Sequence, residues 1–237
     1  MAPVTPAHFL GCAGPLPEAH AGRSAVSAST FTSVVCAVAD GPTDYVARHQ
    51  AGLLASPGGT VELVAAAPLT GHGERALREG CDGHDVLALG GGAAAFAAVE
   101  QSPIPILIAR RCPLGGEVTD SIVVPVGGSA ESSRALQLAG LLAAAHGGTV
   151  TLLAAPACDP ALERAIAAGF QVLLRATGAV PRVMGEPRPP EWVIPPAVAA
   201  LKASLVILDC GRSPNERRLA ALMVAAIGCS VLAVPRT

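Results

Sequence analysis

Aromatic residues and charges are both scarce in this chain. Of its 237 residues, 3% are aromatic and 14% are charged, while 51% are hydrophobic, mostly Ala, Val and Leu. The core must therefore be built from small side chains that pack closely. Lys and Arg (16) nearly balance Asp and Glu (18), and no basic cluster stands out, which argues against nucleic acid as a partner.

Hydrophobic runs suited to a membrane are also missing. A spanning helix needs about 18 or more consecutive apolar residues. The uncharged stretch 219–235 is shorter and is split by Gly228-Cys229-Ser230. The stretch after Arg134 is broken by His146 and Gly147-Gly148. We therefore expect buried α/β elements and no membrane partner.

Paired cysteine motifs are absent as well. The seven cysteines include no CxxC pair, and several lie in apolar runs, where cysteine behaves as a small buried hydrophobe. No charged segment precedes an apolar core at the start of the chain, and Pro3, Pro6, Pro15 and Pro17 oppose a signal helix. Both observations predict a cytoplasmic protein with reduced thiols.

A few isolated side chains are weak candidates for chemistry. Residue types that bind metal ions gather in one stretch, at His72, Glu74, Cys81, His84 and Asp85. Only Cys81-x2-His84 has metal-ligand spacing, so a polar helix and loop is expected there instead of a metal site. Cys210, beside Arg212, is expected to be a buried thiol and not a redox sensor. Trp192 is assigned to a proline-rich loop, either as a contact surface or packed over the sheet.

What the sequence does contain is a repeat. Pro57-Gly-Gly-Thr-Val-Glu-Leu-Val-Ala-Ala-Ala-Pro68 matches His146-Gly-Gly-Thr-Val-Thr-Leu-Leu-Ala-Ala-Pro156. An apolar run ending in a glycine turn precedes each copy, and an apolar tail follows it, at 104–109 and 229–234. A period this long indicates duplicated domains and not a solenoid.

In the second copy, strand patterns alternate with helix patterns. Strands are predicted at 122–126, 150–154, 180–184, 205–208 and 229–234. One helix is predicted from the N-cap Ser129 to about Ala145, and a second from Asp159-Pro160 to Gly178. Residues Pro196–Lys202 are predicted to form the end of a third helix, and Glu216–Ile227 a fourth. This alternation indicates a doubly wound parallel α/β sheet with right-handed crossovers.

The first copy keeps the same order but is shorter. Between its second strand and the strand 86–89 there is room for one helix only, predicted at 74–79. The third strand and the helix after it are therefore expected to be missing. A glycine run then leads almost directly into a short helix at 93–99.

Three segments of the second copy, taken in order, resemble the universal stress protein family. Ser121-Ile-Val-Val-Pro-Val-Gly-Gly-Ser129 is similar to the opening of such a domain, Ala203–Ser213 to its fourth strand and loop, and Cys229-Ser-Val-Leu-Ala-Val234 to its closing strand. The resemblance covers roughly 31–236 as a tandem pair. It implies two Rossmann-like, doubly wound domains paired through their last strands, here Ile104–Ala109 against Val231–Val234.

The predicted domain boundaries follow from the repeat. They are a flexible N-terminal extension at 1–30, a truncated first domain at 31–111, a linker at 112–118 and a second domain at 119–237.

The resemblance also implies where a nucleotide would bind. ATP-binding members use an aspartate after strand one and a Gly-x2-Gly-x9-Gly-Ser/Thr loop after strand four, because glycines and helix N-termini let backbone N–H groups approach phosphate. The matching positions in the first copy are Asp40, Gly41, Gly90, Gly91 and Gly92. Those in the second copy are Pro125, Val126, Gly128, Ser129 and Gly211.

Both matches are incomplete. Gly127 replaces the aspartate in the second copy, and the closing Gly-Ser positions fall on Ala221-Leu222 or Val224-Ala225. In the first copy Ala93 and Pro103 occupy the later motif positions, so its three glycines also fit a tight strand-to-helix turn. Arg212, Arg217 and Arg218 are expected to form an exposed basic helix start and not a phosphate site.

We therefore expect a regulatory stress-response protein with a degenerate site, no cofactor and no enzymatic activity. It would act through contacts with an unidentified protein, with its two domains paired inside the chain and a homodimer as a further option. One alternative is an ATP or AMP sensor that uses Asp40 and Gly90–Gly92. Another is a slow hydrolase, for which no base, metal set or phosphate-binding lysine can be named.

Overall fold

The computed structural model describes residues 31–38, 41–66, 73–91, 93–112, 115–126, 133–154, 160–185 and 188–235. The strands within these ranges are β1 Phe31–Val38, β2 Ala55–Ala65, β3 Val86–Gly90, β4 Ile106–Ala109, β5 Ser121–Val126, β6 Thr149–Ala154, β7 Arg182–Gly185, β8 Leu205–Asp209 and β9 Ser230–Val234. The helices are α1 Pro42–Leu54, α2 Gly73–Cys81, α3 Ala93–Gln101, α4 Ser133–His146, α5 Pro160–Thr177, α6 Pro190–Ala200 and α7 Pro214–Ala226.

All the strands join one sheet, in the order β2-β1-β3-β4-β9-β8-β5-β6-β7. Neighbouring strands are parallel except β4 and β9, which pair antiparallel with Leu107 opposite Leu232 and Ile106 opposite Ala233. The apolar tails of the two repeats therefore meet at the centre of the sheet. The predicted fold class, two doubly wound domains paired through their last strands, is confirmed.

Helices cover both faces of this sheet. One apolar cluster joins α1, α4 and α5 to alternate strand residues such as Leu107 and Leu232. The other joins α2, α3, α6 and α7 to the residues between them, such as Ile108 and Val231. Away from the edge strands β2 and β7 both faces are covered, so the inner strands are continuous apolar runs without alternation. Among the described residues, no helix is long and apolar enough to cross a membrane.

In its described residues the first repeat has no third strand, as the sequence predicts. The second repeat has five strands in the order β7-β6-β5-β8-β9, whereas the first has only β2-β1-β3-β4. Between β2 and β3 the described residues contain α2 and one further helical residue, Ala66, which follows β2 directly. The deletion leaves β2 as one edge of the sheet, with β7 as the other.

The repeated Gly-Gly pair has the same backbone role in both copies. Its first member has a positive φ, 83° at Gly58 and 75° at Gly147, where side chains are disfavoured. Its second member lies against the chain that leads into the neighbouring strand. A Cβ on Gly59 would stand 3.0 Å from the carbonyl oxygen of Thr32, and one on Gly148 would overlap that of Thr119.

Several element boundaries differ from those predicted. Trp192 lies in helix α6 and not in a loop, and its side chain is 71% exposed. Proline at the start of this helix is compatible with helical geometry, because the first turn needs no backbone donor. Helix α7 begins at Pro214, before the predicted Glu216, because Ser213 caps it. Strand β7 begins at Arg182 and not at 180. The predicted N-cap Ser129 lies outside the described residues.

A network of hydrogen bonds that the sequence does not predict joins the two repeats beside the β4–β9 junction. The buried Ser230 hydroxyl lies 2.8 Å from Gln50 Oε1, and it accepts the Arg110 backbone N–H at 3.0 Å. Gln50 Nε2 donates to the Arg110 carbonyl at 2.8 Å. The Arg110 guanidinium donates to the carbonyls of Cys229 and Val224 at 3.1 and 2.9 Å. The side chains of Gln50 and Ser230 are buried and that of Arg110 is half-buried, so their polar groups need these partners.

Candidate functional site

The loop after β8 corresponds to the phosphate-binding loop that the resemblance implies. Strand β8 ends at Asp209 and α7 begins at Pro214, so four residues, Cys210–Ser213, connect them. The motif requires nine residues between its second and third glycines. In this chain those positions lie inside α7, which explains why neither alignment of the motif places a glycine there.

The backbone donors of this short loop are already bonded within the chain. Glu216 Oε2 accepts the N–H groups of Arg212 and Ser213 at 2.8 and 2.9 Å. Ser213 Oγ accepts the Glu216 N–H at 3.2 Å, completing a capping box. A carboxylate thus holds the position that an anion would take at this helix N-terminus.

Gly211 is needed here for a reason unrelated to a ligand. Its φ is +71°, and a Cβ would collide with the Glu216 side chain. Its N–H donates to Asp209 Oδ1 at 2.9 Å. The glycine therefore shapes the turn that brings Glu216 back over the loop.

The corresponding turn of the first repeat is shorter still. Strand β3 ends at Gly90 and α3 begins at Ala93, so only Gly91 and Gly92 intervene. A Cβ on Gly90 would stand 2.8 Å from Thr43 Oγ1, and one on Gly91 would lie 3.6 Å from the Arg110 side chain. These contacts fit the tight strand-to-helix turn that the sequence offered as an alternative to an anion cradle.

The remaining predicted site residues divide into three groups. Asp40, Gly92, Gly128 and Ser129 lie outside the described residues. Gly41, which precedes α1, donates its N–H to Asp44 Oδ2 at 2.6 Å. Pro125 and Val126 belong to β5, paired with Leu153 and Ala154 of β6. Among the six predicted residues that the structure describes, Gly41 lies near Gly90, since both adjoin Asp44.

The three basic residues at the start of α7 differ in exposure. Arg212 and Arg218 are exposed. Arg217 Nη1 lies 3.3 Å from the Glu100 carbonyl, which links α7 to α3. The predicted exposed basic helix start therefore holds for Arg212 and Arg218, whereas Arg217 is half-buried.

The residues considered for a metal site have structural partners instead. Asp85 Oδ2 accepts hydrogen bonds from the Thr32 N–H, the Thr32 hydroxyl and the Ser33 N–H at 2.7, 2.7 and 3.0 Å. His84 contacts Ser33 Oγ at 2.7 Å and Glu62 at 3.5 Å. Within the described ranges, no group of three His, Cys, Asp or Glu residues is placed to hold a metal ion. His72 and the Glu74 side chain lie outside the described residues.

The role of Asp85 at the start of β1 predicts a pH dependence. The hydrogen bond from the Thr32 side chain, followed by those from the backbone, lowers the pKa of Asp85 below its ordinary value of 3.8. A lowered folded-state pKa contributes stability above the unfolded value and loses it as pH falls through the folded pKa. We expect Asp85→Asn to lower the melting temperature at pH 6, and the deficit to shrink below about pH 3.8. Thermal melts at pH 6 and at a pH below about 3.8 test this.

Asp82→Asn provides the control, because Asp82 is an exposed carboxylate in the same turn. Its melting temperature should follow that of the unmodified chain at every pH. Equal effects of the two substitutions would contradict the role assigned to Asp85.

The described cysteines are suited to packing and not to redox chemistry. Burial raises the pKa of the Cys36, Cys81 and Cys229 thiols to about 11, so they stay protonated at neutral pH. Cys210 is 1% exposed.

A shallow cavity of about 300 Å³ lies between α1 and the connection from β4 to β5. Tyr45, His49 and Cys112 line it, and His49 Nε2 lies 3.2 Å from Glu117 Oε2 across it. None of the predicted site residues contributes to this cavity.

Comparison with known proteins identifies the fold. No protein-family model matches the chain, and no curated protein matches it. A universal stress protein from Archaeoglobus fulgidus superposes with a TM-score of 0.66 at 11% identity, covering 88% of this chain and 97% of the other. A putative universal stress protein from Pseudomonas aeruginosa gives a TM-score of 0.58 at 14% identity, covering 86% and 93%.

These similarities establish the architecture and not the ligand. At such low identity the matches show the fold alone, over nearly the whole of each chain. A universal stress protein from Archaeoglobus fulgidus in complex with dAMP aligns with 48% of this chain and 97% of its own, at 16% identity and a TM-score of 0.40. That alignment is too weak to support an argument about a nucleotide here.

Proposed function

We propose that this chain, which has the tandem fold of the universal stress proteins, is a non-catalytic regulatory protein that has lost its nucleotide site and acts through protein contacts. The observation that carries the proposal is the loop after β8. Only four residues long, it donates the N–H groups of Arg212 and Ser213 to the carboxylate of Glu216, and its other two N–H groups to Asp209 and Val234.

Electrostatics supports the same conclusion. A phosphate that approached the start of α7 would have to displace a carboxylate of the same charge, which is held by two backbone donors. In the first repeat, Asp44 takes the Gly41 N–H, and the nearby Arg110 guanidinium donates to two main-chain carbonyls at the repeat junction. In neither repeat, therefore, are these hydrogen-bond donors available to bind a phosphate.

The proposal that the protein is not an enzyme rests on the same described residues. Ser204 and Ser230 are buried, and their hydroxyls bond to main-chain groups beside the sheet. The thiols of Cys36, Cys81 and Cys229 are protonated at neutral pH because burial raises the pKa of each. Free thiols at all five described cysteines fit the reduced cytoplasmic location we propose.

Calorimetric titration of the full chain with ATP, AMP and cyclic AMP tests the proposal. We expect no saturable binding of any of the three. Micromolar binding that is lost in Asp40→Ala and retained in the control Asp82→Ala would overturn the proposal and support an adenine-nucleotide sensor in the first repeat. Micromolar binding that survives Asp40→Ala would overturn it as well.

Glu216→Ala separates the two features that exclude phosphate. If the carboxylate alone blocked an otherwise complete site, this variant would gain nucleotide binding. Because the loop is too short to surround a phosphate chain, we expect no gain, together with a loss of about 0.5–2 kcal/mol of stability from the broken cap.

A further inference from the structure

The deletion in the first repeat leaves a sheet edge and an apolar face uncovered. We propose that β2 is the site of self-association, where it pairs antiparallel with β2 of a second copy of this chain. This inference goes beyond the proposed function and does not depend on the fate of the nucleotide site.

The second repeat shows how its own equivalent surface is covered. The aligned motif places Val61 and Leu63 at the positions of Val150 and Leu152. Val150 and Leu152 are 6% and 0% exposed, whereas Val61 and Leu63 are 37% and 50% exposed. The side chains are equally apolar, so the difference comes from what lies over them.

The covering elements are α5 and β7. Helix α5 packs on α4 and β6, with Gly140 and Gly169 allowing a close approach between the two helices. Strand β7 pairs with the outer edge of β6. The described part of the first repeat has no counterpart of either, so β1 is the one described strand that pairs with β2, and Val61 and Leu63 are exposed.

The two edges of the sheet are protected to different degrees. Strand β7 has four residues, begins with the exposed Arg182 and follows Pro181, which are features that discourage edge pairing. Strand β2 has eleven residues, of which the six from Thr60 to Ala65 pair regularly with β1. Within the strand, Glu62 is the only charged residue and Pro57 the only proline. An exposed apolar edge of this length favours pairing with another strand.

A second copy fits this edge because the strand is self-complementary. In an antiparallel pair centred on Leu63, that residue faces Leu63 of the second copy and Val61 faces Ala65 on the same side of the sheet. Glu62 then faces Val64, which keeps the two carboxylates from meeting directly. A pair centred on Glu62 would place like charges opposite each other and is disfavoured.

Two further observations favour a second copy of this chain as the partner of β2. The chain already joins its own two halves in this manner, since β4 and β9 pair antiparallel with Leu107 opposite Leu232. Glu62 also lies 3.5 Å from His84 of its own repeat, so its carboxylate is partnered inside the chain. A two-fold contact of this kind is isologous and closes at a dimer, which makes it a finite assembly.

Sedimentation equilibrium of the full chain measures the association. We expect a concentration-dependent approach to twice the 23.6 kDa mass of the chain. Leu63→Lys should weaken the dimer by at least tenfold. Leu222→Lys, which places the same charge on a side chain 61% exposed on α7, should leave it unchanged. Circular dichroism melts establish that both variants fold.

Engineered cysteines test the register. Leu63→Cys brings two thiols opposite each other across the two-fold axis, so mild oxidation should add a disulfide-linked dimer that the unmodified chain does not form. Glu62→Cys should form much less, because it faces Val64. Equal cross-linking by both variants would contradict the proposed register and overturn the pairing.

Other results would also overturn the proposal. These are a strictly monomeric chain at the highest concentrations used, or a dimer that resists Leu63→Lys. A monomer whose Thr60–Ala65 amides exchange slowly with solvent would show that the chain itself covers this edge, for example with residues 1–30, and would exclude a second copy.

Discussion

Replacing Leu107 by Asp is expected to abolish cooperative folding. Leu107 is 0% exposed at the centre of the sheet, opposite Leu232, which is equally buried. An unpaired carboxylate at this position would destabilise the protein by more than about 4 kcal/mol, a large part of the stability of an ordinary domain. A urea titration monitored by circular dichroism should show no sharp unfolding transition.

Two further variants make this result specific. Leu107→Ala removes volume without adding charge and should lower the free energy of unfolding by about 2–5 kcal/mol. Leu222→Asp adds the same charge to a side chain that is 61% exposed on α7 and should change stability by less than about 0.5 kcal/mol. If Leu107→Asp unfolded at the same urea concentration as Leu222→Asp, the β4–β9 junction would not be part of the folded core.

The second large effect is expected at the repeated glycine pair. Gly148→Ala should destabilise the protein by about 3 kcal/mol or more, because the new Cβ overlaps the carbonyl oxygen of Thr119, a backbone atom that cannot rotate away. The N–H of Thr149 bonds to the Asp120 carbonyl at 3.0 Å in the same place, so any backbone shift would also disturb the start of the β5–β6 ladder. Thermal or urea unfolding gives the measurement.

The matched control is a glycine in open space. Gly52 lies in α1, and a Cβ there would have no neighbour within 4 Å. Gly52→Ala should therefore stabilise the protein by about 0.5–1 kcal/mol through helix propensity and the lower entropy of the unfolded chain. Stability changes of opposite sign for the two substitutions would support the close approach at Gly148, and changes of equal sign would argue against it.

This pair also shows how far sequence reasoning reaches. The match between 57–68 and 146–156 predicts the duplication, and the apolar runs after it predict strands. The resemblance implied that these strands pair, and the structure places them side by side at the centre of one sheet. Why the glycines recur is visible only in three dimensions. Gly58 and Gly147 have positive φ, while Gly59 and Gly148 adjoin backbone that lies 27 and 29 positions earlier, at Thr32 and Thr119.

The candidate site was harder to predict for the same reason. The sequence shows that the glycine motif is incomplete in both repeats, but a motif does not show what takes its place. Glu216 looks like an ordinary residue in the first turn of a helix, and only the fold shows its carboxylate on the two N–H groups of the preceding loop. Likewise, nothing in the sequence connects Gln50, Arg110 and Ser230, which are brought together by the antiparallel junction.

By itself, then, the sequence determined the tandem α/β architecture and the strand missing from the first repeat, because hydrophobic periodicity and local turn chemistry are readable along the chain. The pairing of the last strands was implied only by the resemblance to the universal stress protein family. The tertiary structure decided which backbone donors are already bonded near the helix starts and which apolar side chains stay exposed on β2. Both depend on contacts between residues far apart in sequence, and local patterns do not record such contacts.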